Sequence, residues 1–169
     1  ASLPLVKHSF LVRTLEELPY ALRGAFVIAS SGRPGPVLVD VPSSVQKDRG
    51  KFDYPPEVHF PGYHPEDRKD FTHLERGIAT LSASSKPVIL AGGGCILAEA
   101  EAELLKLAEI CNIPVTTTLM GKGAFPEDHP LSLGMVGMHG TPQANLAVSE
   151  AEVIFALGTR FSDRSTGGK

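Results

Sequence analysis

No apolar run in this sequence approaches the roughly 18 residues that cross a bilayer, so neither a membrane-spanning helix nor a membrane partner is expected. Basic residues do not prevail: 16 Lys and Arg stand against 19 Asp and Glu, a formal net charge of −3. Without a positive field, nothing draws the chain to phosphate backbones, and nucleic acid is not an expected partner. Cysteine is scarce. Cys95 and Cys111 lie outside any CxxC or Cys/His ligand spacing, and both read as small buried residues of a reducing compartment. The opening residues ASLPLVKHSF lack a charged segment followed by an apolar one, and no initiator Met is present. The expectation is a piece cut from something longer. Also missing are a G-x-S-x-G elbow, a P-loop GxxxxGK[ST] and any two carboxylates spaced as an acid/base pair.

What remains is a folded chain of ordinary balance, 42% apolar and 21% charged, long enough for one domain and a little more. ELPYALRGAFVIASSGRPG reads as a helix, with Leu18, Leu22, Ala25, Phe26 and Ala29 at helical spacing and Gly32 as its left-handed stop. Pro19 suits the first helical position, while Thr14 and Glu17 offer an earlier start through a capping box. PVLVDVP, β-branched between prolines, predicts a strand buried on both faces. From Ser43 to about Asp70 the chain carries many prolines and glycines among scattered charges, with no period of 2 or 3.6. That stretch reads as a linker and a domain boundary. His59, His64 and His73 lie in or beside it without ligand spacing, and read as solvated rather than metal-bound.

Beyond the linker the pattern is regular. Leu74, Ile78 and Leu81 mark a helix, PVIL a strand, LAEAEAELLKLAEICN one amphipathic helix, and PVTTT a second strand. A glycine-rich loop follows. TPQANLAVSEA is a short helix with Thr141 as N-cap and Pro142 at its first position, and VIFALG is a third strand. Strands alternating with such helices imply right-handed crossovers and a parallel sheet, hence an α/β, Rossmann-like architecture with helices on both faces.

Ligands of such sheets bind beyond the carboxyl ends of the strands, and here each of those ends runs into an unusual loop. Gly92, Gly93 and Gly94 follow PVIL; they read either as a tight strand-to-helix turn or as amides facing an anionic group. LGMVGMHG places Met135, Met138 and His139 among glycines. Thioethers either fill core gaps or lie against a flat ring, and no partner at a fixed offset marks His139 as a base. His129 reads as a surface turn residue. Arg160 and Arg164 in GTRFSDRSTGG, and Arg33 in SGRPGP, are either surface arginines or forks for phosphate or carboxylate.

The segments GRPGPVLVD, KPVILAGGG, NIPVTTTLMGKGAFPEDHPLSLGMVGMHGT and ALGTRFSDRSTG, in this order, resemble the large catalytic subunit of acetolactate synthase over nearly the whole chain. The resemblance implies the end of a pyrimidine-binding domain at residues 1–45, a linker at 46–70, and an incomplete central FAD-binding domain at 71–169. It implies FAD contacts at Arg33, Gly92, Gly93, Gly94, Thr118, Leu119, Met120, Met138, His139, Gly158, Thr159, Arg160 and Arg164, with Arg164 also facing the substrate. FAD in this family is mainly structural, because condensing two 2-oxo acids transfers no net hydride. Thiamine diphosphate and Mg²⁺ belong to the full-length parent: nothing here matches the activating glutamate segment or the GDG motif that binds metal and diphosphate. Also implied are the parent's remaining domains, a homo-oligomer, a regulatory small subunit, and a cytoplasmic location, or a plastid in plants. Ser43 stands where the family has lysine and Ser162 where it has aspartate. Two other readings stay open: another thiamine-diphosphate carboligase or decarboxylase, such as glyoxylate carboligase, and a noncatalytic nucleotide-binding module.

Overall fold

The computed structural model describes residues 3–65 and 71–166, and the chain divides into two compact units, Ala1–Asp70 and Phe71–Lys169. The first unit opens with a 3₁₀ turn, Leu3–Leu5, followed by β1 (His8–Leu11), α1 (Glu17–Ser30), β2 (Val37–Asp40) and α2 (Ser43–Lys47). β1 and β2 pair in parallel, His8 opposite Val37 and Leu11 opposite Asp40, with α1 as the crossover. The helix starts at Glu17, ahead of the expected Pro19. Pro19 is tolerated in the first turn because amides there have no intrahelical acceptor. Glu17 accepts from the Arg13 amide at 2.8 Å, one residue before the Thr14 of the expected capping box. The exit is as read, Gly32 standing at φ +55 just past Ser31. Lys7, whose ammonium donates to the carbonyls of Ile28 and Ser31 at 2.5 and 2.6 Å, satisfies the last turn.

Two further expectations for this unit need correction. The buried stripe of α1 is Ala21, Gly24 and Ile28, and Phe26 points outward. β2 alternates half-buried and exposed residues instead of burying both faces, and among the described residues β1 is its one paired strand. The described residues after α2, up to residue 65, have no helix or strand, yet they are fastened to the unit's core. Phe60 stacks obliquely on Phe10 and Tyr20 at 5.8 and 5.5 Å, over Gly24, where a Cβ would overlap its ring. Tyr20 donates to the His59 carbonyl at 2.7 Å, and Tyr63 and Ser31 share a hydroxyl bond at 2.9 Å. Residues 66–70 of the expected linker lie outside the described residues.

The second unit contains α3 (Leu74–Ala83), β3 (Pro87–Ala91), α4 (Gly93–Leu97), α5 (Glu101–Cys111), β4 (Val115–Thr117), a 3₁₀ turn (Leu119–Gly121), β5 (Ser132–Met135), α6 (Pro142–Glu150), β6 (Val153–Leu157) and α7 (Asp163–Thr166). Four strands form one parallel sheet in the order β5-β4-β3-β6. β3 is central and buried on both faces: Ile89 and Ala91 pack with Leu81, Leu104, Ala108 and Phe125, and Leu90 packs with Val136 and Ala144. Helices α3, α4 and α5 thus cover one face and α6 the other. Each fully buried Ile, Leu or Phe in these clusters contributes about 1.5–3 kcal/mol.

β5 is a strand that the periodicity does not announce. Its four residues include Gly134 at φ +80, and the ladder slips between Val115 and Thr116, which pair with Ser132 and Gly134. An edge strand with such a bulge has no alternation to read. The helix read over residues 97–112 begins only at Glu101, and a separate short helix, α4, ends at Leu97 ahead of it. Glu99 takes a left-handed φ of +52 at the break, and the Ala100 amide reaches back to the Cys95 carbonyl at 3.0 Å. Cys95 is buried as expected, but Cys111 is exposed, since α5 ends there in the left-handed Asn112. No described helix is long and apolar enough to cross a membrane.

Candidate functional site

The rim at the carboxyl ends of β3, β4, β5 and β6 is assembled by main-chain contact between loops. The Gly92 amide donates to the Leu157 carbonyl at 2.8 Å, and the Gly94 amide to the Gly158 carbonyl at 2.9 Å. A Cβ on Gly92 would lie 2.7 Å from Thr159 Cα, one on Gly94 2.6 Å from Gly158 Cα, and one on Gly93 2.9 Å from the Met120 carbonyl oxygen. Each is closer than a real Cβ comes. The three glycines are therefore demanded by the loops after β4 and β6, which press main chain against them. Two of their amides are engaged with carbonyls of this second unit, so the reading of a row of free donors does not hold for Gly92 and Gly94.

The neighbouring segments are tied in the same way. Thr118 caps the 3₁₀ turn, its hydroxyl accepting from the Gly121 amide at 3.1 Å. Gly121 is itself required, since a Cβ there would lie 2.9 Å from the Ala91 carbonyl carbon. Gly158 stands at φ +58, and a Cβ on it would meet the Cys95 nitrogen at 2.6 Å. After β5, Gly137 at φ +111 backs onto the Arg164 carbonyl, which leaves no room for a Cβ, and Ser165 Cα would be 3.5 Å away. Strand order and glycine contacts together set residues 92–94, 118–121, 136–140 and 158–165 side by side.

On this rim the apolar side chains point out. Leu119 is 69% exposed, Met120 72% and Met138 75%, so Met120 and Met138 do not fill core gaps. His139 is exposed on the same turn as Met138, as are Gly158, Arg160, Phe161 and Arg164 on theirs; Thr159 is half-buried. Among the described residues neither Arg160 nor Arg164 enters an ion pair. The arrangement offers soft apolar contact for a flat ring next to guanidinium groups for an anion. Beneath it, Cys95 donates its thiol proton to the Leu157 carbonyl at 3.4 Å, and burial pushes its pKa up, aided by the Glu101 carboxylate and opposed by the hydrogen bond with Gly92. Such a thiol is a packing group and not a nucleophile.

Arg33 belongs to the first unit and is exposed in the turn after α1. No cluster of three or more His, Cys, Asp or Glu placed to hold a metal occurs among the described residues. His129, read as a surface turn residue, is more engaged than that. Its ring meets the buried Phe125 edge-on at 5.1 Å, its Nδ1 accepts from the Leu131 amide at 3.2 Å, and its Nε2 lies 3.5 Å from Glu109. The residues that the sequence reading missed are Gly121, Phe161 and Asn145; for Asn145, a weak helix former inside a helix was the available signal.

The chain is 52% identical over 168 residues to the "Probable acetolactate synthase large subunit" of Methanocaldococcus jannaschii, a match covering 98% of this chain and 28% of that protein. It is 46% identical over 166 residues to the "Acetolactate synthase" of Mycobacterium bovis, covering 98% of this chain and 27% of the relative. The chain thus spans somewhat over a quarter of the length of the relatives it matches. Among solved structures, a protein from Mycobacterium smegmatis described as a "putative thiamin diphosphate-dependent enzyme" aligns with a TM-score of 0.69 and 25% identity, over 93% of this chain and 30% of that one. The family profile "Thiamine pyrophosphate enzyme, central domain" matches residues 74–169. That match, over more than half of the chain and across the β5-β4-β3-β6 sheet and its glycine-seamed rim, makes the chain a member of the thiamine pyrophosphate enzyme family, carrying that family's central domain.

Proposed function

We propose that the chain is part of an acetolactate synthase large subunit and that the rim of its second unit carries FAD. The parent would condense two pyruvates, or pyruvate with 2-oxobutyrate, to acetolactate or acetohydroxybutyrate with release of CO₂, for isoleucine and valine synthesis. One observation carries the FAD reading: exposed Leu119, Met120 and Met138 stand on the same rim as Arg160 and Arg164. Thioethers and leucine favour a flat isoalloxazine ring, and arginine forks favour a diphosphate. Gly92, Gly93, Gly94 and Gly158 would form a floor free of side chains, with Thr118, Thr159 and His139 beside it. Arg164 would also face the carboxylate of the 2-oxo acid. Bound FAD would serve structure, since the net reaction moves no hydride.

No residue of the chain is assigned to catalysis in this reading. Thiamine diphosphate and Mg²⁺ would be held elsewhere in the parent, with its other domains, a second copy and a regulatory small subunit as partners, in the cytoplasm. The test compares the chain with the full-length protein by equilibrium dialysis against FAD and by acetolactate formation from pyruvate. Stoichiometric FAD binding and turnover by the full-length protein, with weak binding and no turnover by the chain, are expected. A full-length protein that binds no FAD would overturn the flavin assignment, and one that makes no acetolactate would overturn the reaction.

A further inference from the structure

Asn145 occupies the second turn of α6, where asparagine is a weak helix former whose amide competes for backbone partners. Here that amide is spent on one residue of the rim. Asn145 Oδ1 accepts from the Gly137 amide at 2.8 Å, and Asn145 Nδ2 donates to the Gly137 carbonyl at 3.0 Å. The same carbonyl accepts from the Gly140 amide at 2.9 Å. Residues 137–140 are therefore a hydrogen-bonded β-turn with Met138 and His139 at its two central positions. Gly137, held by Asn145 on one side, is backed by the Arg164 carbonyl where its Cβ would be. The stem of the turn is closed by the Thr141 amide, which donates to the Met135 carbonyl at 2.8 Å.

We infer that Asn145 is a positioning residue: its carboxamide bolts the Met138–His139 turn to α6 and against the segment bearing Arg164, and so sets the affinity of the rim for its cofactor. The second half of this statement rests on the flavin reading above. The chemistry is specific to a carboxamide. Asparagine presents an acceptor and a donor side by side, matching the N–H and C=O of a single residue; aspartate presents two acceptors and would set one against the Gly137 carbonyl. Fixing the turn beforehand removes an ordering cost from ligand binding.

The test uses the full-length protein with Asn145→Ala and Asn145→Asp, read by amide hydrogen exchange of the 136–141 segment and by FAD titration. For Asn145→Ala, loss of two hydrogen bonds is expected to speed exchange at Gly137 and Gly140 about tenfold and to weaken FAD about tenfold, while β3 and α5 exchange as before. Asn145→Asp should behave likewise at neutral pH and regain protection as acid protonates its carboxyl and restores the donor. Unchanged exchange in the turn overturns the inference. So does faster exchange with unaltered FAD affinity, and so does a rise spread evenly through β3 and α5, which marks a merely structural role. A wild-type protein without FAD affinity overturns the flavin reading, and the cofactor half with it, before any variant is made; the exchange arm then decides whether Asn145 fixes the turn.

Discussion

The Gly94 amide donates to the Gly158 carbonyl at 2.9 Å, and at that seam neither residue has room for a side chain. A methyl group on Gly158 would also have to adopt φ +58. Overpacking costs ~1–3 kcal/mol and the left-handed backbone ~1–2 kcal/mol. Gly158→Ala is accordingly expected to lower the stability of the second unit by about 3 kcal/mol. Gly77 is the control, since it lies in α3 with open space around it and no positive φ. Gly77→Ala should stabilise by ~0.5–1 kcal/mol. Urea denaturation of both variants decides it; equal, small effects would mean that the seam is loose.

Arg160 lies just past β6, exposed and without an ion pair among the described residues. If the rim holds a diphosphate, Arg160→Ala removes a charge-assisted hydrogen bond worth ~1.5–3 kcal/mol, which is a loss of at least tenfold in FAD affinity. Arg160→Lys should recover part of it, because the charge returns without the fork. Flavin fluorescence titration of the full-length protein reads both. An alanine variant that binds like wild type would remove Arg160 from the site.

The two thiols should separate in reactivity. Cys111 is exposed, while Cys95 is buried with its pKa raised, chiefly by burial. A disulfide reagent at mildly alkaline pH is expected to modify one thiol rapidly and the second only on unfolding, and Cys111→Ser should abolish the rapid phase. The sign of the linkage follows from the direction of the shift. A raised folded pKa gives stability that is complete below the unfolded thiol's value and is lost as pH rises through the folded one. Urea midpoints taken across the alkaline range should therefore fall, and Cys95→Ala should flatten that fall.

Tyr63 is held below the ordinary phenol value, first by the neighbouring Lys7 ammonium, then by its hydrogen bond to Ser31. Its phenol should ionise at lower pH than an ordinary tyrosine in an absorbance titration. Lys7→Met is expected to move that component back up. Because the folded pKa is lowered, the associated stability is present above the unfolded phenol's value and is lost as pH falls through the folded one. A titration in which Lys7→Met changes nothing would show that the ammonium does not act on the phenol.

Where the sequence was legible, local rules carried the reading. Thr141 accepts from the Ala144 amide at 3.2 Å with Pro142 at the first helical position, because an N-cap and its proline are set by neighbours in the chain. β3 was plain because a strand buried on both faces is apolar throughout. β5 was not, because its place depends on a bulged pairing with β4. The late start of α5 was hidden as well: Glu99 is an ordinary helix former, and its left-handed φ has no local signal in the sequence.

By itself the sequence determined the alternation of strands and helices, hence a parallel α/β sheet, and the residue types gathered at its carboxyl end. Periodicity and caps act over a few residues, and the chain states them directly. Tertiary structure alone decided what the glycine triplet is for, which methionines face outward, and which side chain holds Gly137. Those outcomes depend on contacts between segments tens of residues apart, such as Gly94 with Gly158, and no local pattern encodes such a distance.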